Sequence, residues 1–467
     1  MMYLFILFFF SFLLRLINLN QSLWLDEAVV AKVVHTIPWY LIPTQFSPGD
    51  FHPPLYYLTM SWWTWVFGSS EIALRMPSVL FSLVAGWYMY KIGTLLRDRT
   101  VGLWSAAFFL LNPLIVYYSQ EARMYMMATM FLSIALLYFL KSTRTVEGQK
   151  SKVKSLILFN LFCALAIFTF YGSVFFVIGM IIWAVCVIPM KIGIQKGNYT
   201  GFRIRSGMTI QLIIGLIISL LLLSPLLIQQ LHTAKLGLAV VKNWSLVLGR
   251  AELKNFLMMF IKFSSGRLSW YPKWSYYAAA GGWLVVVGML LFVGARKNKL
   301  FAFLFLFPLV VGYAISFWVP MMQYFRFLYV IIPMSVLLAL SVPKKHNIAF
   351  IILALFAVFS FVYLFLPQFH REDWKDLGAY LDSQTPVYMI LPSSDPVAYY
   401  NPDAMLYELR DIAQRPLPEV IEVIPYVEDI YGFNHTAVLT GKGCTRDTTT
   451  TFRGPLFLEK WVCLSRG

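Results

Sequence analysis

The chain has 467 residues, of which 59% are hydrophobic, 17% aromatic and 13% charged. Soluble domains carry about 25% charged residues, so this composition excludes an ordinary soluble protein and places most of the chain in lipid. The net charge of +16 does not indicate nucleic-acid binding, because the basic residues form short clusters between apolar runs. Such clusters are typical of the cytoplasmic loops of multi-pass membrane proteins.

The N-terminal run, residues 3–19, is the first of eleven apolar segments that are long enough to span about 30 Å of hydrocarbon. It has neither the basic start nor the small-residue cleavage site of a signal peptide, which favours an uncleaved first span. The other predicted spans are 77–95, 102–118, 124–140, 156–171, 173–189, 208–230, 276–294, 300–319, 324–342 and 347–366.

A further apolar run, Pro53–Gly68, is short and rich in Tyr and Trp, which prefer the level of the lipid headgroups. The basic clusters predict cytoplasmic loops at 96–100, 141–154, 191–205, 295–299 and 343–347. With the N-terminus also cytoplasmic, no crossing remains between residues 20 and 76. Pro53–Gly68 is therefore predicted to lie along the outer surface, whereas a twelve-span count would put the cluster at 96–100 outside.

The last hundred residues are polar and, after eleven spans, lie outside. "REDWKDLGAYLDSQ" has the apolar spacing of an amphipathic helix, and "PVYMILP" and "GPLFLEKWVCL" read as short strands. Cys444 and Cys463 could form a disulfide there if the compartment is oxidising. We therefore predict a membrane domain over 1–366, with a first outer loop at 20–76 and a long one at 231–275, and a small α/β domain over 367–467.

Polar residues collect at the predicted outer face. They are Asp26 and Glu27 after the first span, His52 before the surface helix, Glu121, Arg123 and Tyr125 in "SQEARMY", and Arg326 at the start of the tenth span. Charged residues so close to hydrocarbon are candidates for a functional site. Taken singly, each also has a structural interpretation: a solvated loop, a turn cap, an ion pair, or an arginine reaching the headgroups.

Taken together, the motifs "LWLDEA", "FHPPLYYL", "EIALRMPSVLFS", "NPLIVYYSQEARMYMMATMF", "YFRFLYVIIP" and "REDWKDLGAYL" resemble those of polytopic GT-C glycosyltransferases. The likeness is to the bacterial and archaeal branch related to protein O-mannosyltransferases and to the aminoarabinose transferase of lipid A. It implies an all-α membrane fold of about eleven transmembrane helices with interfacial helices. It also implies transfer of a sugar, with inversion, from a polyprenyl-phosphate carrier on the extracytoplasmic face.

The resemblance implies a role for each candidate residue. Asp26 would be the catalytic base, Glu27 would position Asp26 or the sugar, His52, Arg123 and Arg326 would bind the donor phosphate, and Glu121 and Tyr125 would belong to the second outer loop. Metal-dependent relatives have an acid-x-acid pair in that loop, but here Glu121 is its one acidic residue. A divalent cation, Mg²⁺ or Mn²⁺, held by Asp26 and Glu121 therefore stays open.

The chemistry supports these roles independently, since inversion needs one base opposite the leaving group and guanidinium groups stabilise a departing phosphate. The outer loop 231–275 adds basic residues that suit an anionic headgroup or a solvated surface equally: Lys235, Lys242, Arg250, Lys254, Lys262, Arg267 and Lys273. We predict a glycosyltransferase of the plasma membrane that acts on a hydroxyl acceptor, either a protein, a glycolipid or a polysaccharide. The alternatives are a transporter or lipid-linked-sugar flippase, and a member that binds the carrier without transfer.

Overall fold

The computed structural model describes residues 2–143, 149–190, 199–241, 243, 248–342 and 346–463. Lys242 and parts of three predicted cytoplasmic clusters (144–148, 191–198 and 343–345) lie outside these residues. The membrane-domain helices are α1 Met2–Leu16, α2 Leu25–Thr36, α3 Leu55–Phe67, α4 Glu71–Leu96, α5 Arg99–Leu110, α6 Pro113–Tyr118, α7 Tyr125–Ser142, α8 Gln149–Thr169, α9 Ser173–Met190, α10 Tyr199–Val240, α11 Leu253–Ser265, α12 Lys273–Lys297, α13 Lys299–Ile315, α14 Ile331–Ser341 and α15 His346–Phe365.

Every predicted span corresponds to a helix. In the part of the chain that is described, seven helices are long and apolar enough to cross a membrane: α4, α7, α8, α10, α12, Tyr324–Ser341 and α15. Three shorter apolar helices cover the first, sixth and ninth predicted spans. The third span is divided into α5 and α6, because Asn112 caps α6 through the amides of Leu114 and Ile115, with Pro113 at its first position. The predicted all-α polytopic fold is confirmed.

Both ends of α3 lie on one face of the helical bundle. Before α3, the amide of Gln230 donates to the carbonyl of His52 (3.1 Å). After α3, Tyr399 of the C-terminal domain donates to the carbonyl of Ser69 (2.9 Å). We call this face, which carries residues 18–27, 119–124 and the C-terminal domain, the site face. These contacts favour a path along the surface for Pro53–Gly68, which stays a prediction.

Cysteine labelling tests this path in a variant that carries Cys163→Ser and Cys186→Ser. We expect Gln45→Cys and Ser69→Cys, which flank α3, to react with an impermeant maleimide from the same side of sealed vesicles. Arg97→Cys, at the far end of α4, should react from the other side. Labelling of Gln45→Cys and Ser69→Cys from opposite sides would show that α3 crosses the membrane.

The predicted loop 231–275 is largely helical, which differs from the expectation. Helix α10 continues to Val240, and α11 occupies Leu253–Ser265. Helix α11 is stabilised by packing of its apolar face, on which Met259 and Phe263 are buried. The amide of Asn112 also donates to the carbonyl of Phe263 (2.7 Å) and ties α11 to the start of α6.

The C-terminal domain is a small α/β unit. Its elements are α16 Trp374–Tyr380, β1 Val387–Met389, α17 Asp395–Tyr400, β2 Leu406–Glu408, β3 Val420–Ile424, α18 Glu428–Tyr431, α19 His435–Gly441, β4 Cys444–Phe452 and β5 Leu456–Cys463. The five strands form one sheet in the order β2-β1-β3-β5-β4. Strands β1, β2 and β3 pair in parallel, whereas β5 pairs antiparallel with both β3 and β4. Trp374 and Leu377 are buried on the predicted helix, and Cys444 and Cys463 form a disulfide.

Ion pairs and hydrogen bonds fasten this domain to the site face. Lys32 on α2 contacts Asp395 (2.7 Å), and Lys375 contacts Glu71 at the start of α4 (3.0 Å). The hydroxyl of Tyr400 accepts from the amide of Leu23 (2.8 Å). The domain therefore lies directly over the segment that contains the acidic pair.

Within the domain, buried His435 lies between Glu428 (2.6 Å) and Glu459 (2.9 Å). Burial opposes its charge, but the two carboxylates outweigh burial and raise the pKa of His435 above its ordinary value of 6.5. Because the folded pKa is the higher one, the stabilisation is fully present below about pH 6.5 and is lost as the pH rises through the folded pKa. We expect hydrogen exchange at β5 to be faster in His435→Gln than in wild type at pH 6, and the difference to shrink at higher pH.

Arg415→Gln is the matched control, since it removes an exposed pair with Asp411 in the same domain. It should leave exchange at β5 unchanged. A difference between His435→Gln and wild type that grows with pH would contradict the assignment of a raised pKa.

Candidate active site

The first turn of α2 presents the acidic pair, where the positive end of the helix dipole favours carboxylates. Successive helical residues point about 100° apart, so Asp26 and Glu27 face different surroundings. One faces the solvent-accessible cleft and the other faces the protein interior.

Glu27 is fully buried, with 0% of its side chain exposed. Arg75 on α4 donates to both carboxylate oxygens, from Nε to Oε1 (2.9 Å) and from Nη2 to Oε2 (2.6 Å). The amide of Ala122 also donates to Oε1 (2.7 Å). Arg75 in turn donates to the carbonyls of Leu19, Gln21 and Ser22. This bonding joins α2, α4 and the loop before α7, and it leaves Glu27 no surface for a substrate.

Asp26 keeps 36% of its side chain exposed. Its Oδ2 lies 3.2 Å from Nη2 of Arg123, whose own side chain is only 5% exposed. Burial opposes the charge of Arg123, but Asp26 and other nearby acidic groups outweigh it and raise the pKa of Arg123 above its usual range. The structure therefore offers a partly solvated carboxylate that is oriented by a buried, permanently charged guanidinium.

His52 contacts the carboxylate of Asp50, which was not among the predicted site residues. Its Nδ1 lies 3.2 Å from Oδ1 of Asp50. Burial pushes the pKa of Asp50 upward, but the charges of His52 and Arg123 and the hydrogen bond with His52 outweigh burial and hold it below the ordinary value. Asp50 and His52 thus belong to the same electrostatic cluster as Asp26 and Arg123.

Arg326 and Tyr125 complete this cluster. Arg326 interacts electrostatically with Asp26 and Tyr125, and its Nη1 donates to the carbonyl of Pro320 (3.4 Å). Tyr125 is buried beside Arg123, whose guanidinium lies 6.0 Å from the centre of the tyrosine ring. The Asp26 cluster, as we call this group, consists of Asp26, Asp50, His52, Arg123, Tyr125 and Arg326.

Glu121 points to a neighbouring group. Its Oε1 accepts from Nε (3.0 Å) and Nη2 (2.8 Å) of Arg371, which precedes α16. Arg371 lies over the ring of Trp24 at 3.7 Å. Nearby, Arg267 donates to the hydroxyl of Tyr117. Two arginines and several tyrosines therefore lie beside the Asp26 cluster, around Glu121.

The resemblance implies that Glu27 positions either Asp26 or the sugar. The complete burial of Glu27 and its bonds to Arg75 and Ala122 favour the first of these roles, because they hold α2 and leave the carboxylate no surface for a substrate. Asp50, Arg75 and Arg371 are absent from the predicted site, although a lone charge within an apolar stretch, as Arg75 is, was an available signal.

Two described cavities lie near these elements. One of about 350 Å³ is bordered by Arg250, Lys262 and Tyr324, close to the Asp26 cluster. Burial and the charges of Arg267 and Lys273 lower the pKa of Lys262 to about 7. A larger cavity of about 850 Å³ includes His35 and Trp65. Its nearest residue on α2 is Val34, eight residues and about 12 Å along the helix from Asp26, and no residue of the Asp26 cluster lines it.

A divalent cation between Asp26 and Glu121 stays a prediction. One oxygen of each carboxylate pairs with a guanidinium, that of Arg123 for Asp26 and that of Arg371 for Glu121. Over the ranges that the structure describes, no three His, Cys, Asp or Glu side chains converge as metal ligands. The reaction proposed below is therefore derived from the protein's own side chains.

Comparison with known protein families shows which class of protein the chain resembles. Residues 51–229, less than half of the chain, match the family described as dolichyl-phosphate-mannose-protein mannosyltransferase. No curated protein sequence matches the chain significantly. The matched range contains His52, Glu121, Arg123 and Tyr125, whereas Asp26 and Arg326 lie outside it.

Solved structures extend the likeness. The oligosaccharyltransferase AglB from Archaeoglobus fulgidus, in complex with an inhibitory peptide and a dolichol-phosphate, shares 13% identity at a TM-score of 0.50; 86% of this chain covers 64% of that one. ArnT from Cupriavidus metallidurans shares 11% identity at a TM-score of 0.46, with 97% of this chain and 96% of that chain covered. The Pmt1-Pmt2 protein O-mannosyltransferase complex of S. cerevisiae, bound to the sugar donor, shares 15% identity at a TM-score of 0.39, with 49% of this chain and 34% of that chain covered.

At 13% identity, the likeness to AglB shows that the two chains share a fold and nothing further. The chain is similar to GT-C glycosyltransferases in sequence over residues 51–229 and in fold over most of its length, which confirms the resemblance predicted from its motifs. Nothing in these comparisons supports the alternative of a transporter or flippase.

Proposed function

We propose that this protein is a membrane glycosyltransferase that moves a sugar from a polyprenyl-phosphate carrier to an acceptor hydroxyl, with inversion at the anomeric carbon. The observation that carries the proposal is the half-open carboxylate of Asp26, 3.2 Å from buried Arg123, on the same face as His52 and Arg326. The match to a mannosyltransferase family over 51–229 supports it.

In the proposed reaction, Asp26 accepts the proton of the acceptor hydroxyl as the new bond to the anomeric carbon forms. The bond between that carbon and the phosphate oxygen breaks, and its electron pair leaves with the polyprenyl phosphate. Arg123, Arg326 and His52 stabilise the charge that grows on this phosphate. The proposed donors are polyprenyl-phosphate hexoses or pentoses.

We place the site face outside the cytoplasm. The disulfide between Cys444 and Cys463 belongs to the domain on this face, and disulfides persist in oxidising compartments. At the opposite ends of the helices lie Arg97, Arg99 and the Arg296–Lys299 turn, and cytoplasmic loops are enriched in Lys and Arg. Both features support a plasma-membrane enzyme that acts on the extracytoplasmic side.

The test is to reconstitute the protein in vesicles with a panel of radiolabelled polyprenyl-phosphate sugars and to follow the loss of label from the lipid. We expect at least one donor to be consumed by wild type and none by empty vesicles. Transport without bond cleavage, seen as relocated but intact donor, would overturn the proposal in favour of a flippase.

A further inference from the structure

Arg371 brings the C-terminal domain into the candidate site. It donates two hydrogen bonds to Oε1 of Glu121 and stacks on Trp24, with 18% of its side chain exposed. Its carbonyl accepts from Nε of Arg453 (2.9 Å), and Arg453 pairs with Asp373 (3.0 Å). Arg453 is in the turn between β4 and β5, so the sheet of the domain supports the position of Arg371.

Glu121 belongs to the short loop that organises the Asp26 cluster. The next residue, Ala122, donates its amide to Glu27, and Arg123 contacts Asp26. Two charge-assisted hydrogen bonds from one guanidinium to the same oxygen, Oε1, hold Glu121 against Arg371. Because Glu121, Ala122 and Arg123 are consecutive, this contact also limits how Arg123 and Asp26 can move.

Three buried polar atoms around this pair find no hydrogen-bond partner among the described residues. They are Oε2 of Glu121, the indole N–H of Trp24 and the hydroxyl of Tyr118. Tyr118 interacts electrostatically with Glu121, and Trp24 lies under Arg371. A buried polar atom without a partner destabilises a protein, so these three atoms suit a bound polar group that both accepts and donates hydrogen bonds.

A hydroxyl is such a group. We propose that Arg371 is a positioning residue that holds Glu121 so that its second oxygen, Oε2, accepts a hydrogen bond from a hydroxyl of the transferred sugar. The inference rests on the proposed function and goes beyond it, because it makes the C-terminal domain part of sugar recognition. Oε1 is engaged by Arg371 and Oε2 is left for the sugar.

The experiment compares Arg371→Gln, Arg371→Lys and Glu121→Gln with the control Lys375→Gln. Lys375 also joins the C-terminal domain to the membrane domain, through Glu71, but it is half exposed and lies outside the Asp26 cluster. Each variant is assayed with the polyprenyl-phosphate sugar that wild type consumes and with its monodeoxy analogues, one hydroxyl at a time. Thermal unfolding of each purified variant confirms that it is folded.

We expect Arg371→Gln to lower kcat/KM by roughly 10–100-fold, because small misplacements in a site cost about this much. For one deoxy analogue, wild type should discriminate at least about tenfold, and this preference should collapse toward unity in Arg371→Gln and in Glu121→Gln. Arg371→Lys should recover little, since lysine lacks the planar fork. Lys375→Gln should behave like wild type in both measurements.

The inference is overturned if Arg371→Gln keeps both the kcat/KM and the discrimination of Lys375→Gln. It is also overturned if activity falls while the preference among deoxy analogues is unchanged, because Arg371 would then support the fold and not the sugar. If wild type consumes no donor, the proposed function itself fails, and the inference fails with it. The behaviour of wild type thus separates the two failures.

Discussion

Replacing Asp26 with asparagine should reduce sugar transfer by roughly 10²–10⁴-fold, the usual contribution of a general base. The amide keeps the size of the carboxylate and can still accept a hydrogen bond, but it cannot take the acceptor's proton. Because the change leaves buried Arg123 without its paired carboxylate, thermal unfolding of the variant is measured to confirm that it is folded. The measurement is kcat for the loss of radiolabel from the carrier lipid.

Asp395→Asn is the matched control, because it removes a carboxylate that also pairs with a cation on α2, Lys32. Lys32 is 59% exposed and the pair lies outside the Asp26 cluster, so turnover should stay within about twofold of wild type. Equal turnover in wild type and Asp26→Asn would remove Asp26 from its proposed role.

Removing the carboxylate of Glu27 should destabilise the protein by roughly 3–5 kcal/mol, as expected when one partner of a buried ion pair is lost. In Glu27→Ala, Arg75 stays buried at 2% exposure without its counter-ion, and the amide of Ala122 loses its acceptor. We expect a large fall in Tm and poor recovery of monodisperse protein in detergent.

Glu71→Ala provides the comparison, because Glu71 is near the start of the same helix, α4, and pairs with half-exposed Lys375. It should cost about 1 kcal/mol at most. A Glu27→Ala protein with the Tm of wild type and low activity would instead indicate that Glu27 positions the sugar.

The helices were predictable because each depends on local composition. A run of apolar residues long enough for the bilayer can form only a helix there, since every backbone group must be bonded internally. Asn112-Pro113 shows the limit, because a cap inside an apolar run divides one predicted span into α5 and α6. Helix α11 was also within reach, since Phe256, Met259 and Phe263 have helical spacing in a segment that we predicted as a loop.

The partners of the site residues were not predictable in the same way. Asp26 and Arg123 are 97 positions apart, Glu27 and Arg75 are 48 apart, and Glu121 and Arg371 are 250 apart. Sequence spacing carries no information on such pairs. Whether a carboxylate is open or enclosed depends on packing, and this is why the sequence did not predict that Asp26 is partly exposed and that Glu27 is fully buried.

A cryo-EM structure of the protein with a bound polyprenyl phosphate would show directly whether the Asp26 cluster binds the donor. We expect the phosphate within hydrogen-bond distance of Arg326 or Arg123, on the site face and next to the partly exposed carboxylate of Asp26. A phosphate bound at the opposite ends of the helices, near the turn at Arg97, would contradict this expectation.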